Sequence, residues 1–238
     1  SNNAVYYNIL DGVEWKGETK VPLESVVVAA GAGPASILYR QMIHVFYPTS
    51  LGEFYLTTLN TSTDAWTTPL LLKLQDTEYD SAGNISYQTQ MTANMTCPVE
   101  FLNYVCNLYN GKVKLPHDST LLDGRLRINT YNGSGSIKDM QIPNTYLTGK
   151  PGAAVYGGKL YVFHQGSKSD GTLWYNVSLD GSNWVGDKKV ALEKSLLITN
   201  GPACMVLEGK LYCFYQGKGT ANAGKVWYNV LEGEETWA

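Results

Sequence analysis

Residues 151–201 read PGAAVYGGKLYVFHQGSKSDGTLWYNVSLDGSNWVGDKKVALEKSLLITNG, and residues 202–238 read PACMVLEGKLYCFYQGKGTANAGKVWYNVLEGEETWA. The two stretches match almost position for position through GKLYVFHQG and GKLYCFYQG, and again through LWYNV and VWYNV. Weaker copies begin at Pro34 (PASILYRQMIHVFYPTSLGEFYLTTLNTSTDAWTTPLLL) and at Pro98 (PVEFLNYVCNLYNGKVKL), so the chain repeats with a period near fifty residues. An internal period of this length marks an array of one supersecondary unit. In the third copy the strand-like runs are 153–156, 160–164, 173–179 and 188–192. The pairs Gly157-Gly158 and Asp180-Gly181 supply turns.

A four-stranded antiparallel unit of fifty residues cannot bury both of its faces alone. Stacking such units radially does so, which predicts an all-β propeller of four-stranded blades. No segment carries a sustained 3.6-residue period, so a helical solenoid is excluded. Residues 4–23, AVYYNILDGVEWKGETKVPL, run parallel to LWYNVSLDGSNWVGDKKVAL of the third copy. The chain therefore begins with the outer strands of a repeat, and pairing of these with the C-terminal repeat is expected to close a ring. The count gives four copies of strands one, two and four but five of strand three. Four blades are expected, with a fifth, incomplete blade as the alternative. The domain expectation is a single propeller over 1–238, with repeats at 34–97, 98–150, 151–201 and 202–238, and 1–33 supplying the remainder.

Composition agrees with strands and tight turns: 24 glycines, 17 Tyr, 6 Trp and 5 Phe. The net charge of −3, with 18 Lys and Arg scattered along the chain, gives nucleic acid no stripe to track. No apolar run is long enough to span a membrane, so no insertion is expected. The three histidines, His44, His117 and His164, lie far apart and no CxxC occurs. No metal site and no cofactor are expected. Cys204 and Cys213 flank the turn Glu208-Gly209 and count as direct cross-strand neighbours, Cys97 and Cys106 share their spacing, and free thiols are expected at all four. The chain opens at Ser1 with neither a methionine nor a signal-like segment, and five sequons (Asn60, Asn84, Asn94, Asn132, Asn176) lean towards an extracellular setting without establishing it.

Three features recur and carry the candidate chemistry. Strand two ends in an aromatic or histidine followed by Gln-Gly, as in His164-Gln165 and Tyr215-Gln216. Strand three carries an aromatic-Tyr-Asn run: Tyr6-Tyr7-Asn8, Trp174-Tyr175-Asn176 and Trp227-Tyr228-Asn229. The turn that follows ends in tryptophan, at Trp15, Trp66, Trp184 and Trp237. An indole beside an amide suits the apolar face and the hydroxyls of a pyranose. The candidate sugar-binding residues are therefore His164, Gln165, Trp174 and Asn176 in the third repeat, and Tyr215, Gln216, Trp227 and Asn229 in the fourth. The competing reading makes these residues packing between blades, and a glutamine bonded to a turn backbone fits the same pattern. The Asp-Gly…Trp turns read as structural.

SLDGSNW at 178–184 resembles the Asp-box turn of sialidase-type propellers, one residue short. The repeats GKLYVFHQG and LWYNVSLDGSNW resemble in design those of the tachylectin, tectonin and fungal fucose-binding propeller lectins. That resemblance implies a lectin with several similar weak sugar sites, whose partners are glycans or glycoproteins, with an oligomer compatible. The alternative is a hemopexin-like scaffold that binds a protein, small ligand or ion in its axial channel. Catalysis is not expected. A sialidase needs an arginine cluster, and the chain has only Arg40, Arg125 and Arg127. Neither a nucleophile elbow nor an HExxH motif occurs.

Overall fold

The computed structural model describes residues 4–30, 33–50, 52–72, 74, 77–79, 85–91, 96–114, 124–192, 196–222 and 224–231. They form an all-β protein in which every repeat begins with the same antiparallel hairpin. Strands one and two are Ala35–Tyr39 and Met42–Pro48, Cys97–Phe101 and Tyr104–Lys114, the 147–156 part of Ser136–Tyr156 and Lys159–Gly166, and Ile198–Leu207 and Lys210–Gly217. Each hairpin turns on two residues of positive φ: Arg40-Gln41, Leu102-Asn103, Gly157-Gly158 and Glu208-Gly209. Two such residues give the type I′ turn, whose twist matches that of the strands it joins. The turns at 40–41 and 102–103 contain no glycine, which is why those copies are faint in the sequence.

Strand three follows as Phe54–Asn60, Arg125–Tyr131, Leu173–Ser178 and Val226–Leu231. The 21-residue strand Ser136–Tyr156 serves two repeats. Its first half pairs with Arg125–Tyr131 and its second with Lys159–Gly166, which fuses the second and third repeats into one nine-stranded sheet.

Strand alternation gives each repeat two faces, and the repeats meet their neighbours through them. Phe163, Tyr161 and Tyr175 pack against Leu211, Cys213 and Tyr215 of the fourth repeat. On the opposite face, Leu160 and Val162 pack against Leu108, Leu126 and Ile128 of the second. Phe46 and Phe54 of the first repeat meet Val105 and Tyr109 of the second. Val45 and Tyr47 meet Val5 and Val21 of the N-terminal segment. The four apolar cores are thus four seams, and full burial of each large side chain contributes about 1.5–3 kcal/mol.

The chain ends do not behave as the sequence suggested. Tyr6–Tyr7 pairs with Thr19–Lys20, and this hairpin packs on the first repeat. Among the described residues no ladder joins it to Val226–Leu231, which pairs with Lys210–Gly217. The physical reason is that the fourth repeat brings its own strand three, so the N-terminal copy has no vacant place beside Lys210–Gly217. The fifth strand three of the sequence count is this N-terminal strand. Cys204 and Cys213 are directly opposed, as counted from their turn, and the structure has all four cysteines as free thiols. Cys97 stands opposite Leu108 and Cys106 opposite Val99, so the second pair is out of register.

Candidate functional site

The residue that ends strand two is buried in every repeat: Tyr47, Tyr109, His164 and Tyr215. Its polar head is held inside the seam. Tyr109 Oη donates to Asp139 Oδ1 at 2.7 Å, Arg127 Nε donates to Tyr109 Oη at 3.1 Å, and Arg127 Nη2 closes on Asp139 Oδ2 at 2.9 Å. Burial pushes the Asp139 carboxyl up against the pull of Arg127, and pushes the Tyr109 phenol up as well. Tyr215 Oη donates to Asn229 Oδ1. Tyr215 and Asn229 are therefore brought together, but inside the molecule.

Gln165 points to the other side of its strand and is also buried. Its Nε2 donates to Ile198 O of the next repeat at 3.2 Å. Asn110, at the same place in the second repeat, donates to Gly149 O at 3.1 Å. The residue before the strand-two glycine is thus a clasp from one repeat to the backbone of the next. Gln216 meets no such backbone among the described residues, lies exposed, and accepts from Asn200 Nδ2 at 3.4 Å. Trp227 lies half-buried against the third-to-fourth seam. The sugar-contact role expected of Gln165, Tyr215 and Asn229 is not available to side chains enclosed in this way.

The third repeat keeps an arrangement that reaches solvent. Trp174 stands opposite His164 on one side and Lys189 on the other. Asn176 and Asp187 extend the same face, because alternate residues of paired strands project together. Asn176 is fully buried and fully used. Its Nδ2 donates to Thr145 Oγ1 at 3.2 Å and to Asp187 Oδ1 at 3.3 Å, and its Oδ1 accepts from the amides of Val177 and Gly186 at 2.8 and 3.0 Å. Asp187 Oδ2 lies 3.3 Å from His164 Nε2, and the Asp187 side chain is 20% exposed while that of His164 is 1% exposed. Trp174 is half-buried and Lys189 exposed. The outcome is an indole with an ammonium and a carboxylate on the adjacent strand of the same face, the carboxylate held from behind by Asn176 and Thr145, with His164 Nε2 3.3 Å from its other oxygen.

Asp187 and Lys189 were not singled out in the sequence. The signal was there: Lys188–Lys189 is the fourth strand, and counting its register from Trp174 brings both charges to the indole's face. The Asp-Gly…Trp turn is structural, as read. Asp180 Oδ1 accepts from the amides of Asn183 and Ser182 at 2.7 and 2.8 Å, which holds its carboxyl well below the usual range. Trp184 packs against the seam between the second and third repeats. Of the remaining aromatic turns, Trp237 lies outside the described residues.

A cavity of about 450 Å³ opens between the N-terminal hairpin and the first repeat, with Tyr7 and Trp66 among its walls, their ring centroids 5.5 Å apart. Among the described residues no group of three or more His, Cys, Asp or Glu is placed to hold a metal.

No family model matches the sequence, and no curated protein does. Solved structures do. The α-L-arabinofuranosidase of Clostridium thermocellum superposes with a TM-score of 0.58 at 13% identity, over 94% of this chain and 78% of that one. A GH43 β-1,3-galactosidase superposes with a TM-score of 0.56 at 10% identity, over 89% and 76%. The fungal lectin of Aleuria aurantia, a six-bladed β-propeller that recognises fucose, superposes with a TM-score of 0.59 at 12% identity, over all of this chain and 69% of that one. The fold is one shared by propeller glycosidases and a propeller lectin. This overturns the expectation that the chain is not an enzyme, because the structures on this fold include glycoside hydrolases.

Proposed function

We propose that the protein binds carbohydrate, and that Trp174, Asp187 and Lys189 form its sugar-contact surface. The observation that carries this reading is the half-buried Trp174 indole on the face that also carries the exposed Lys189 and the anchored Asp187 carboxylate. An indole face covers the C–H face of a pyranose, a carboxylate accepts from its hydroxyls, and an ammonium donates to them. The Asp187 carboxylate is held in place before any ligand arrives, so little ordering is needed on binding. The resemblance to propeller lectins and the fold shared with the Aleuria aurantia lectin and the GH43 enzymes support the same class of ligand. In the fourth repeat Tyr215 and Asn229 bond to each other in the core, and among the described residues no charged fourth strand stands beside Trp227. The reading is accordingly one principal site in the third repeat, with an affinity for a monosaccharide on the order of 0.1–1 mM.

The test is a broad glycan array followed by titration of the best ligand against Trp174→Ala and Lys189→Ala. Lys189→Ala removes an exposed group, so its fold is retained, and a loss of about tenfold or more in affinity is expected. The same oligosaccharides, incubated with the protein and analysed for released reducing ends, separate binding from cleavage. An array without a hit, or full affinity in both variants, overturns the proposal.

A further inference from the structure

The second and third repeats carry one polar arrangement in the same register, with an arginine in one where the other has a tryptophan. In the second, Tyr109 at the end of strand two stands opposite Arg127, and Asn129 stands opposite Asp139. In the third, His164 stands opposite Trp174 and Trp174 opposite Lys189, so the count back from Lys189 sets Asp187 across from Asn176. His164 thus answers to Tyr109, Asn176 to Asn129 and Asp187 to Asp139. Trp174 takes the place of Arg127.

Arg127 is the cation that joins its set together. Its Nε donates to Tyr109 Oη at 3.1 Å and its Nη2 to Asp139 Oδ2 at 2.9 Å, so one guanidinium serves both the strand-two residue and the strand-four carboxylate. In the third repeat the chain supplies no such cation. Asp187 Oδ1 accepts from Thr145 and Asn176, while Asp187 Oδ2 lies 3.3 Å from His164 Nε2 with no hydrogen bond between them. His164 Nδ1 lies 3.3 Å from Gln165 O, which can only accept, so Nδ1 carries the ring hydrogen and the buried Nε2 is an acceptor. Two acceptors therefore face each other, and among the described residues no Lys or Arg forms an ion pair with Asp187.

A cation with more than one N–H satisfies both acceptors, and the second repeat provides one from its own side chain. We infer that the third repeat takes it from the ligand: a primary ammonium that donates to Asp187 Oδ2 and His164 Nε2, with the Trp174 indole as its cation–π partner. This specificity rests on Trp174 and Asp187 forming a carbohydrate surface, and it narrows the ligand to sugars with an unsubstituted amine, the glucosamine class rather than its N-acetylated form. An acetamide is uncharged and has a single N–H, so it cannot do what the guanidinium does. Lys189 does not cancel the preference, because its ammonium is exposed and screened by water and salt, whereas the Asp187 carboxylate is mostly enclosed.

The probes are three β-1,4-linked tetrasaccharides that share one backbone and differ at carbon two: glucosamine, N-acetylglucosamine and glucose. Titrated calorimetrically into the whole protein near neutrality, the glucosamine form should bind at least tenfold more tightly than either of the others. Asp187→Asn keeps the shape of the side chain and removes its charge. It should bring the glucosamine form to within about twofold of the N-acetylated one, without weakening the latter. Equal or weaker binding of the glucosamine form by the parent protein overturns the inference, and so does a preference that survives Asp187→Asn, since the amine is then recognised elsewhere. Neutral sugars bound through Trp174 with no gain from the amine sink the amine specificity alone and leave the carbohydrate surface standing. Failure of every sugar to bind, here and on a broad array, overturns both.

Discussion

Replacing Gln165 by alanine should cost the protein stability, and replacing Gln216 should not. The two residues occupy the same position in adjacent repeats and the same Gln-Gly motif. Gln165 is buried and donates to Ile198 O at 3.2 Å, whereas Gln216 is exposed. A buried hydrogen bond of this kind contributes about 1 kcal/mol net, and stripping a buried carbonyl of its donor adds about 1–3 kcal/mol. Roughly 2 kcal/mol is therefore expected for Gln165→Ala, which in a protein of this length lowers the melting temperature by roughly 4–8 °C. Gln216→Ala should stay within about 0.5 kcal/mol of the parent, as surface changes do. Urea titration followed by tryptophan fluorescence measures both, and an unchanged m-value confirms that the unfolded states are comparable. Equal effects for the two variants, or none for Gln165→Ala, would refute the clasp. Asn110→Ala provides an independent check, because its Nδ2 makes the same contact to Gly149 O.

Three further outcomes follow from the geometry. Asp139→Ala should destabilise by about 3–5 kcal/mol, because it leaves the Arg127 guanidinium buried without its counter-ion, whereas Arg127→Met combined with Asp139→Leu should recover most of that loss in chemical denaturation. Asp180 is held below its ordinary value of 3.8 by turn amides, so its contribution to stability is complete above that value and fades as pH falls below it; Asp180→Ala should flatten this part of the pH–stability curve, and a parent curve already flat between pH 4 and 2 would contradict it. Burial pushes the Cys106 thiol up to about 12, so native protein should leave it unalkylated at pH 8 while denaturant makes it react at once, as peptide mass spectrometry would show.

The repeat, the strands and the glycine turns were legible in the sequence because each is a local property. GKLYVFHQG and GKLYCFYQG fix two hairpins through their period and their turns, and Lys159–Gly166 and Lys210–Gly217 are the strands that result. The turn at Arg40-Gln41 was not legible, since its positive φ is imposed by the strands on either side rather than by the residues themselves. The site was legible in its residue types and not in its exposure. His164, Gln165 and Asn176 look alike in sequence as polar groups beside an aromatic, but burial depends on which repeat lies across the seam. Asp187 escaped notice because its role comes from pairing with a strand ten residues away.

The same seam logic explains why one motif serves two purposes. A strand-two end of aromatic or histidine, then an amide, then glycine is first a device for joining repeats: the aromatic fills the seam behind it and the amide clasps the seam ahead. Where a repeat follows, both groups are consumed, as with His164 and Gln165. At Gln216 no such backbone lies opposite among the described residues, and the amide is exposed beside Asn200. A side chain in such an array is therefore best read as functional when it stays accessible with both neighbours present. Trp174 meets that condition, lying only half-buried although the second and fourth repeats flank its own. Trp227 is half-buried as well, but its ring packs on the seam with the third repeat, and among the described residues no fourth strand brings charges beside it. That difference, more than the shared Trp-Tyr-Asn run, separates the two tryptophans as sugar contacts.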